Sequence, residues 1–279
     1  MYKKLLTLSL YLAAFILIAR FCHKQTDGFR MSKITRNTIE GSCPPPSQEI
    51  EEILSQKFTY LARGLQSFVF VSEDEKYVLK IFNNKYQEKI FYTSFFPFLK
   101  EKQKLYESKL QKTFNSYNLA FDRLKEEAAI IYLKTSESVY FKTPLYLLDK
   151  LGIEHPINLN HTAFLIQKKA SMVYPTLDTL MEKGKEEEAR KALRSLLFLV
   201  DKKFRMNIKD KDPLIRTNIG FIGTLAIQID VGPFSLSENR ENYREEFKRI
   251  TTSLKGWLQH HHPSLTSYVE EIELEIFSQ

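Results

Sequence analysis

The chain has 279 residues, 43% of them hydrophobic, and a net charge of +7 with a pI near 9.1. That is enough apolar material for one large domain or for two lobes sharing a cleft. The positive charge admits an anionic substrate, a membrane surface or nucleic acid, but the lysines are scattered and no nucleic-acid-binding motif accompanies them, which argues against nucleic acid. Cys22 and Cys43, the only cysteines, both precede the expected folded region, so they build neither a disulfide framework nor a cysteine metal site.

Lys3 and Lys4 precede residues 5–19, fifteen positions without a charge, and Arg20 follows them. The run lies between a signal-peptide core and a full membrane span, which takes about 17 to 25 apolar residues. No small-x-small cleavage pattern follows, and Arg20 can snorkel while Phe21 and Cys22 extend the apolar stretch. Residues 1–22 therefore read as an N-terminal anchor in the lipid bilayer, with a cleaved signal peptide and secretion as the alternative. Arg20, Lys24, Arg30, Lys33 and Arg36 outnumber the two leading lysines, and the positive-inside rule then sets the remainder in the cytoplasm. Residues 23–48 are polar, hold Gly28, Gly41 and Pro44 Pro45 Pro46, and read as a flexible linker.

A short amphipathic helix is expected from Glu49, on Ile50, Ile53 and Leu54. Strands follow at 58–61, 68–71 and 77–82, with Gly64 in the first bend and a charged turn at 72–76. The third strand sets Lys80 inside the apolar run Val78 Leu79 Lys80 Ile81 Phe82, where a lysine costs stability unless it meets an anion. Much later, Asn218 and Asp230 stand at opposite ends of a predicted hairpin turned at Gly223 Thr224, an arrangement that can hold a magnesium ion. Together these stretches point to a nucleotide-phosphate site.

The run Leu61 Ala62 Arg63 Gly64 Leu65 Gln66 Ser67 Phe68 Val69 Phe70, with Lys80 after a hairpin, resembles the glycine-rich loop and third strand of the protein-kinase-like superfamily. The resemblance implies that Gly64 and Ser67 lie in a loop over ATP phosphates and that Lys80 pairs with those phosphates. Of the family's three glycines only the middle one, Gly64, stands here; Ala62 and Ser67 occupy the outer places.

Residues 83–134 form a long insert before the next strand. Phe91, Phe95, Phe96 and Phe98 read as core packing, with a membrane or partner surface as the alternative, and a lysine-rich helix is expected from Pro97 onward. Residues 121–133 are expected to be helical, with Leu124, Glu127, Ala128 and Ile131 on one face, and a glutamate there needs a cationic partner. The resemblance implies that Glu127 pairs with Lys80; Glu126 is the near alternative. Strands at 139–148 and 162–167 lead to a hinge, and helices follow at 177–183 and 186–204, the second with Ala189, Ala192, Leu193, Leu196, Leu197 and Val200 as its apolar face.

Asp210 Lys211 Asp212 Pro213 Leu214 Ile215 Arg216 Thr217 Asn218 occupies the place of a kinase catalytic loop. The resemblance implies Asp212 as the base, with Asp210 second, and Asn218 as a metal ligand. Asp212 lies six residues before Asn218, where the family has five. Asp230 Val231 Gly232 matches the family's metal-binding Asp-Phe-Gly. Only 47 residues follow Gly232, with helices expected at 239–260 and 264–277. His260 His261 His262, consecutive on a helix, point about 100° apart and do not converge on a metal.

The expected fold is α+β: a bilobal protein-kinase-like domain over 49–279, with an antiparallel β-sheet N-lobe (49–169) and a mainly helical, shortened C-lobe (170–279), preceded by an N-terminal hydrophobic helix. As an enzyme such a chain transfers phosphate from ATP with Mg2+ to an acceptor the sequence does not name. As a pseudokinase it binds or scaffolds, and an envelope protein with no nucleotide role is a third reading. The sequence names no protein partner.

Overall fold

The computed structural model describes residues 2–237 and 243–278. The chain divides into two compact units, Met1–Ser108 with Tyr132–Ile166, and Lys109–Ile131 with Gln167–Gln279. The secondary structure is α+β, as expected. The stretch 109–131, expected with the first lobe, groups with the second unit.

Helix α1 (Tyr2–Gln25) takes up the uncharged N-terminal run and leaves Leu10, Phe15, Leu17 and Phe21 exposed. Fifteen uncharged residues rising 1.5 Å each cover about 22 Å, short of a hydrocarbon core of about 30 Å. Among the described residues no helix is long and apolar enough to cross a membrane, so the expected membrane-spanning anchor is not found.

The segment after α1, expected as a loose linker, packs onto the first unit. Phe29 is buried and meets Phe68, Phe70 and His155 edge-on, with ring centroids 5.2 to 5.7 Å away. Asn37, fully buried, donates its amide to Phe82 O (2.6 Å) and Ala163 O (3.1 Å) and accepts from Ala163 N (2.7 Å). The Asn84 amide reaches Ser32 O and Thr35 O, and Tyr132 donates to Pro44 O. A polar segment is held here because its side chains satisfy backbone groups at the ends of strands.

Helix α2 (Gln48–Leu54), capped by Ser47, buries Ile50, Ile53 and Leu54. Strands β1 (Phe58–Arg63), β2 (Ser67–Ser72) and β3 (Tyr77–Phe82) form an antiparallel meander in which Phe68, Phe70, Leu79 and Ile81 share the buried face. Ser72 closes the β2–β3 turn by accepting from Tyr77 N and donating to Asp74. Helix α3 (Lys85–Ser94) and a single 3-10 turn (Pro97–Leu99) lead into helix α4 (Lys100–Arg123). Phe91, Phe95, Phe96 and Phe98, expected in the core, are exposed instead.

The helix expected over 121–133 ends at Arg123, where α4 stops. A turn closed by Ala128 N to Leu124 O and Ile130 N to Lys125 O leads into strand β4 (Ile130–Lys134). Ile130, Ile131 and Tyr132 favour the pleated chain, which outweighs the helical spacing. Strands β5 (Leu145–Leu148), β6 (Glu154–Ile157) and β7 (Phe164–Lys168) complete a seven-stranded sheet of order β4-β7-β3-β2-β1-β5-β6. The expected antiparallel sheet is in fact mixed, because β1 and β5 run parallel with Phe58 opposite Leu147.

In the second unit, β8 (Ser171–Met172) leads into α5 (Val173–Glu182) and α6 (Glu186–Arg205), whose expected apolar face is buried throughout. Strand β9 (Ile208–Asp210) and one-turn α7 (Ile215–Asn218) precede the hairpin β10 (Ile219–Ile222) and β11 (Leu225–Gln228), turned at Gly223 with φ +62°. Strand β12 (Phe234–Leu236) pairs with β9. Gly220 is required where it stands: a Cβ there would lie 2.6 Å from Ser171 O and 2.8 Å from Ile229 Cδ1. Helices α8 (Tyr243–His261) and α9 (Ser264–Ser278) close the core on Phe247, Leu254, Val269 and Ile272. The expected start of α8 at 239 lies outside the described residues.

Two measurements check the first unit. Replacing Asn37 with Ala removes three buried hydrogen bonds and should lower stability by about 3 kcal/mol in urea unfolding, whereas a loose linker would give no change. Lys134 is fully buried and donates to Ser136 O, Asn160 O and Thr162 O, and burial pushes its pKa from 10.5 down to about 8. Below pH 8 both folded and unfolded chains carry this proton; between 8 and 10.5 only the unfolded chain keeps it, so stability rises with pH in that window. The rise should be smaller in Lys134→Met when the two proteins are unfolded in parallel.

Candidate functional site

In the first unit, Lys80 lies on β3, an interior strand with β2 and β7 on its two sides, and is 5% exposed. It is therefore not a water-facing edge lysine. It stands opposite Val69, on the strand face away from Leu79 and Ile81. Gly64 N donates to Ser67 O (2.9 Å), closing the bend between β1 and β2. A Cβ at Gly64 would meet Ser67 O and Oγ at 3.5 and 3.6 Å, ordinary contact distances, so the bend does not demand glycine there. The bend is also held from below: Asn83 and Lys85 both donate to Leu65 O, and Asn83 N donates to Gln66 O. Ser67 is buried opposite Phe82.

The second unit assembles the remaining candidates around a group that sequence reasoning missed. Lys203, on the last turn of α6, is buried and donates to Asp210 Oδ2 (3.0 Å) and Gln228 Oε1 (2.7 Å). Burial pulls its pKa below the ordinary lysine range, and the Asp210 carboxylate opposes that pull. The other oxygen of Asp210 accepts from Asp212 N (3.0 Å), and Asp212 O accepts from the Asn218 amide (2.6 Å). Gln228 passes the network on by donating to Asp230 O (2.7 Å). The signal for Lys203 was present: it continues the i, i+3 apolar stripe of α6 one step beyond Val200.

The β10–β11 register sets Asn218 beside the start of the Asp230 segment. Asn218 O accepts from Ile229 N (2.7 Å) and from Asp230 N (3.3 Å), and Asp230 Oδ1 accepts from Gly232 N (2.9 Å). Ser116, on the second half of α4, fastens residues 231–234 by donating to Val231 O and accepting from Phe234 N. The two candidate bases differ: Asp210 is buried and ion-paired to Lys203, whereas Asp212 is exposed and anchored through its backbone. Glu127, in the turn after α4, gives its carboxylate to Lys202 of α6, and its carbonyl accepts from Gln228 N. His262 pairs with Asp178 at 2.7 Å.

The donor set of the hairpin suits a hard cation. The Asn218 amide nitrogen is used on Asp212 O, which leaves the amide oxygen as a ligand, and the Asp230 carboxylate has an oxygen beyond the one bound to Gly232 N. Among the described residues no group of three His, Cys, Asp or Glu side chains stands ready for a metal. A two-residue oxygen set fits magnesium, which commonly takes one or two protein ligands and completes its shell with water and phosphate oxygens.

No protein-family model matches the chain, and no curated protein matches it. Among solved structures the chain is similar to WbdD in complex with the kinase inhibitor LY294002, at 14% identity over 78% of this chain and 44% of that one, with a TM-score of 0.37. It is also similar to WbdD described as a bifunctional kinase-methyltransferase, at 16% identity over 74% and 42% with a TM-score of 0.34. A high-resolution WbdD structure gives 14% identity over 78% and 45%, with a TM-score of 0.36. The chain spans less than half the length of these structures.

Removing the Lys203 ammonium strands a buried carboxylate. Lys203→Met should lower stability by about 3 to 5 kcal/mol, and adding Asp210→Leu should recover a large part of the loss. Urea unfolding of both variants and of the single Asp210→Leu completes the cycle; strictly additive losses would mean that the pair is not coupled.

Proposed function

We propose that the chain is a kinase-like protein that binds ATP with magnesium. The observation that supports this reading is the hairpin junction, where the Asn218 carbonyl accepts from Ile229 N and Asp230 N and so sets the two oxygen-bearing side chains on neighbouring stretches of chain. In this reading Asn218 and Asp230 hold magnesium, and Lys80, a buried cation on an interior strand, meets phosphate oxygens. Bound magnesium would neutralise phosphate charge. The exposed Asp212 carboxylate is the group that accepts a proton from an acceptor hydroxyl, while Asp210, neutralised by Lys203, sets the loop.

A second reading, a pseudokinase that binds nucleotide without transferring phosphate, is favoured by the bend at 64–67. Its Leu65 carbonyl is tied to Asn83 and Lys85, and Ala62 and Ser67 replace the outer glycines, so the loop has little freedom to close over phosphate.

Thermal unfolding with and without magnesium and ATP tests the common part of both readings. Ligand at 100 times its dissociation constant should stabilise the protein by about 2.7 kcal/mol. Lys80→Met and Asp230→Asn should lose that shift, and no shift in the unmodified protein would overturn nucleotide binding. Radiolabel transfer then separates the two: Asp212→Asn should keep the shift and lose transfer from an active kinase.

A further inference from the structure

The elbow between α3 and α4 has no part in the nucleotide reading, yet it carries the densest exposed apolar surface of the first unit outside α1. Within eight residues Phe91, Tyr92, Phe95, Phe96 and Phe98 are each between 48 and 81% exposed. Their rings touch one another in two groups: Phe91 meets Phe95 at 4.9 Å and Tyr92 at 5.7 Å, and Phe96 meets Phe98 at 5.6 Å. Apolar residues scattered singly over a surface need no explanation, but a contiguous aromatic patch marks something that covers it.

The charge around the patch identifies the cover. From Lys85 to Lys104 there are five lysines, two glutamates, no aspartate and no arginine. Lys100 and Lys102 open α4 immediately after the aromatic run and are exposed. Lys89 lies over the Tyr106 ring at 5.1 Å, and Lys104 shares Glu101 at 3.2 Å. Protein-binding patches favour arginine and are depleted in lysine. Aromatic rings with a surround of lysines match the boundary of an anionic bilayer, where rings settle at headgroup level and long ammonium side chains reach lipid phosphates. We propose that the elbow at 91–98 docks on an anionic lipid surface, lying on it rather than spanning it.

The test uses the full chain with vesicles of phosphatidylcholine alone or mixed with phosphatidylglycerol, with brominated acyl chains as quencher. Trp257, the single native tryptophan, lies in the second unit and serves as the internal control. Phe98→Trp adds a reporter at the elbow. Its emission should shift to the blue and be quenched by brominated lipid in the mixed vesicles, with little effect in phosphatidylcholine or at high salt. Lys100→Glu with Lys102→Glu should weaken binding to mixed vesicles about tenfold or more. Quenching equal to that of the unmodified protein would overturn the proposal, even if α1 carries the chain to the vesicles. A blue shift that follows protein concentration without lipid would overturn it in favour of a second copy of the chain.

Discussion

A single ammonium in the second unit, that of Lys203, decides where the candidate catalytic segment lies. Taking a lysine out of water is expensive, and Asp210 and Gln228 offset the expense here by meeting the ammonium. Once those two are fixed, hydrogen bonds of ordinary length place the others. Asp210 holds the backbone of Asp212, Asp212 holds the side chain of Asn218, and Gln228 holds the backbone of Asp230. The residues that would touch a ligand are therefore placed by residues that would not. Asp212 is thus held at both ends of its main chain while its side chain stays exposed.

The first unit uses a different device. Its sheet brings together strands far apart in sequence, and the polar segment after α1 seals the junction of β3 and β7 through amide side chains that stand in for strand backbone. Lys80 sits on one of the strands so sealed.

What was legible in the sequence was local. The β2–β3 hairpin, the apolar face of α6 and the β10–β11 turn at Gly223 each carry their own period or turn residue, so each can be read from a few neighbouring positions. What was not legible depended on distant partners or on rules that work in one direction only. The parallel pairing of β1 with β5 leaves no mark in either strand. Asn37 looked like linker composition, because an amide that replaces a backbone group is invisible until the strands are in place. Phe91 to Phe98 were assigned to the core since apolar residues usually fill cores, yet much of any surface is apolar. Over 121–133 two periods competed, and the β-branched and aromatic run from Ile130 won for the strand. Lys203 was not singled out, because its buried partners Asp210 and Gln228 lie outside its helix.

The Asn37 junction also bears on how the chain is made. Its bonds to Ala163 close a separation of 126 residues. At a synthesis rate of about 5 to 20 residues per second, roughly 6 to 25 seconds pass between the appearance of the two partners. Throughout that interval the segment behind α1 has no strand ends to seal, and the exposed apolar side chains of α1 are already outside the ribosome. The first part of the unit to be made is thus among the last to be fastened.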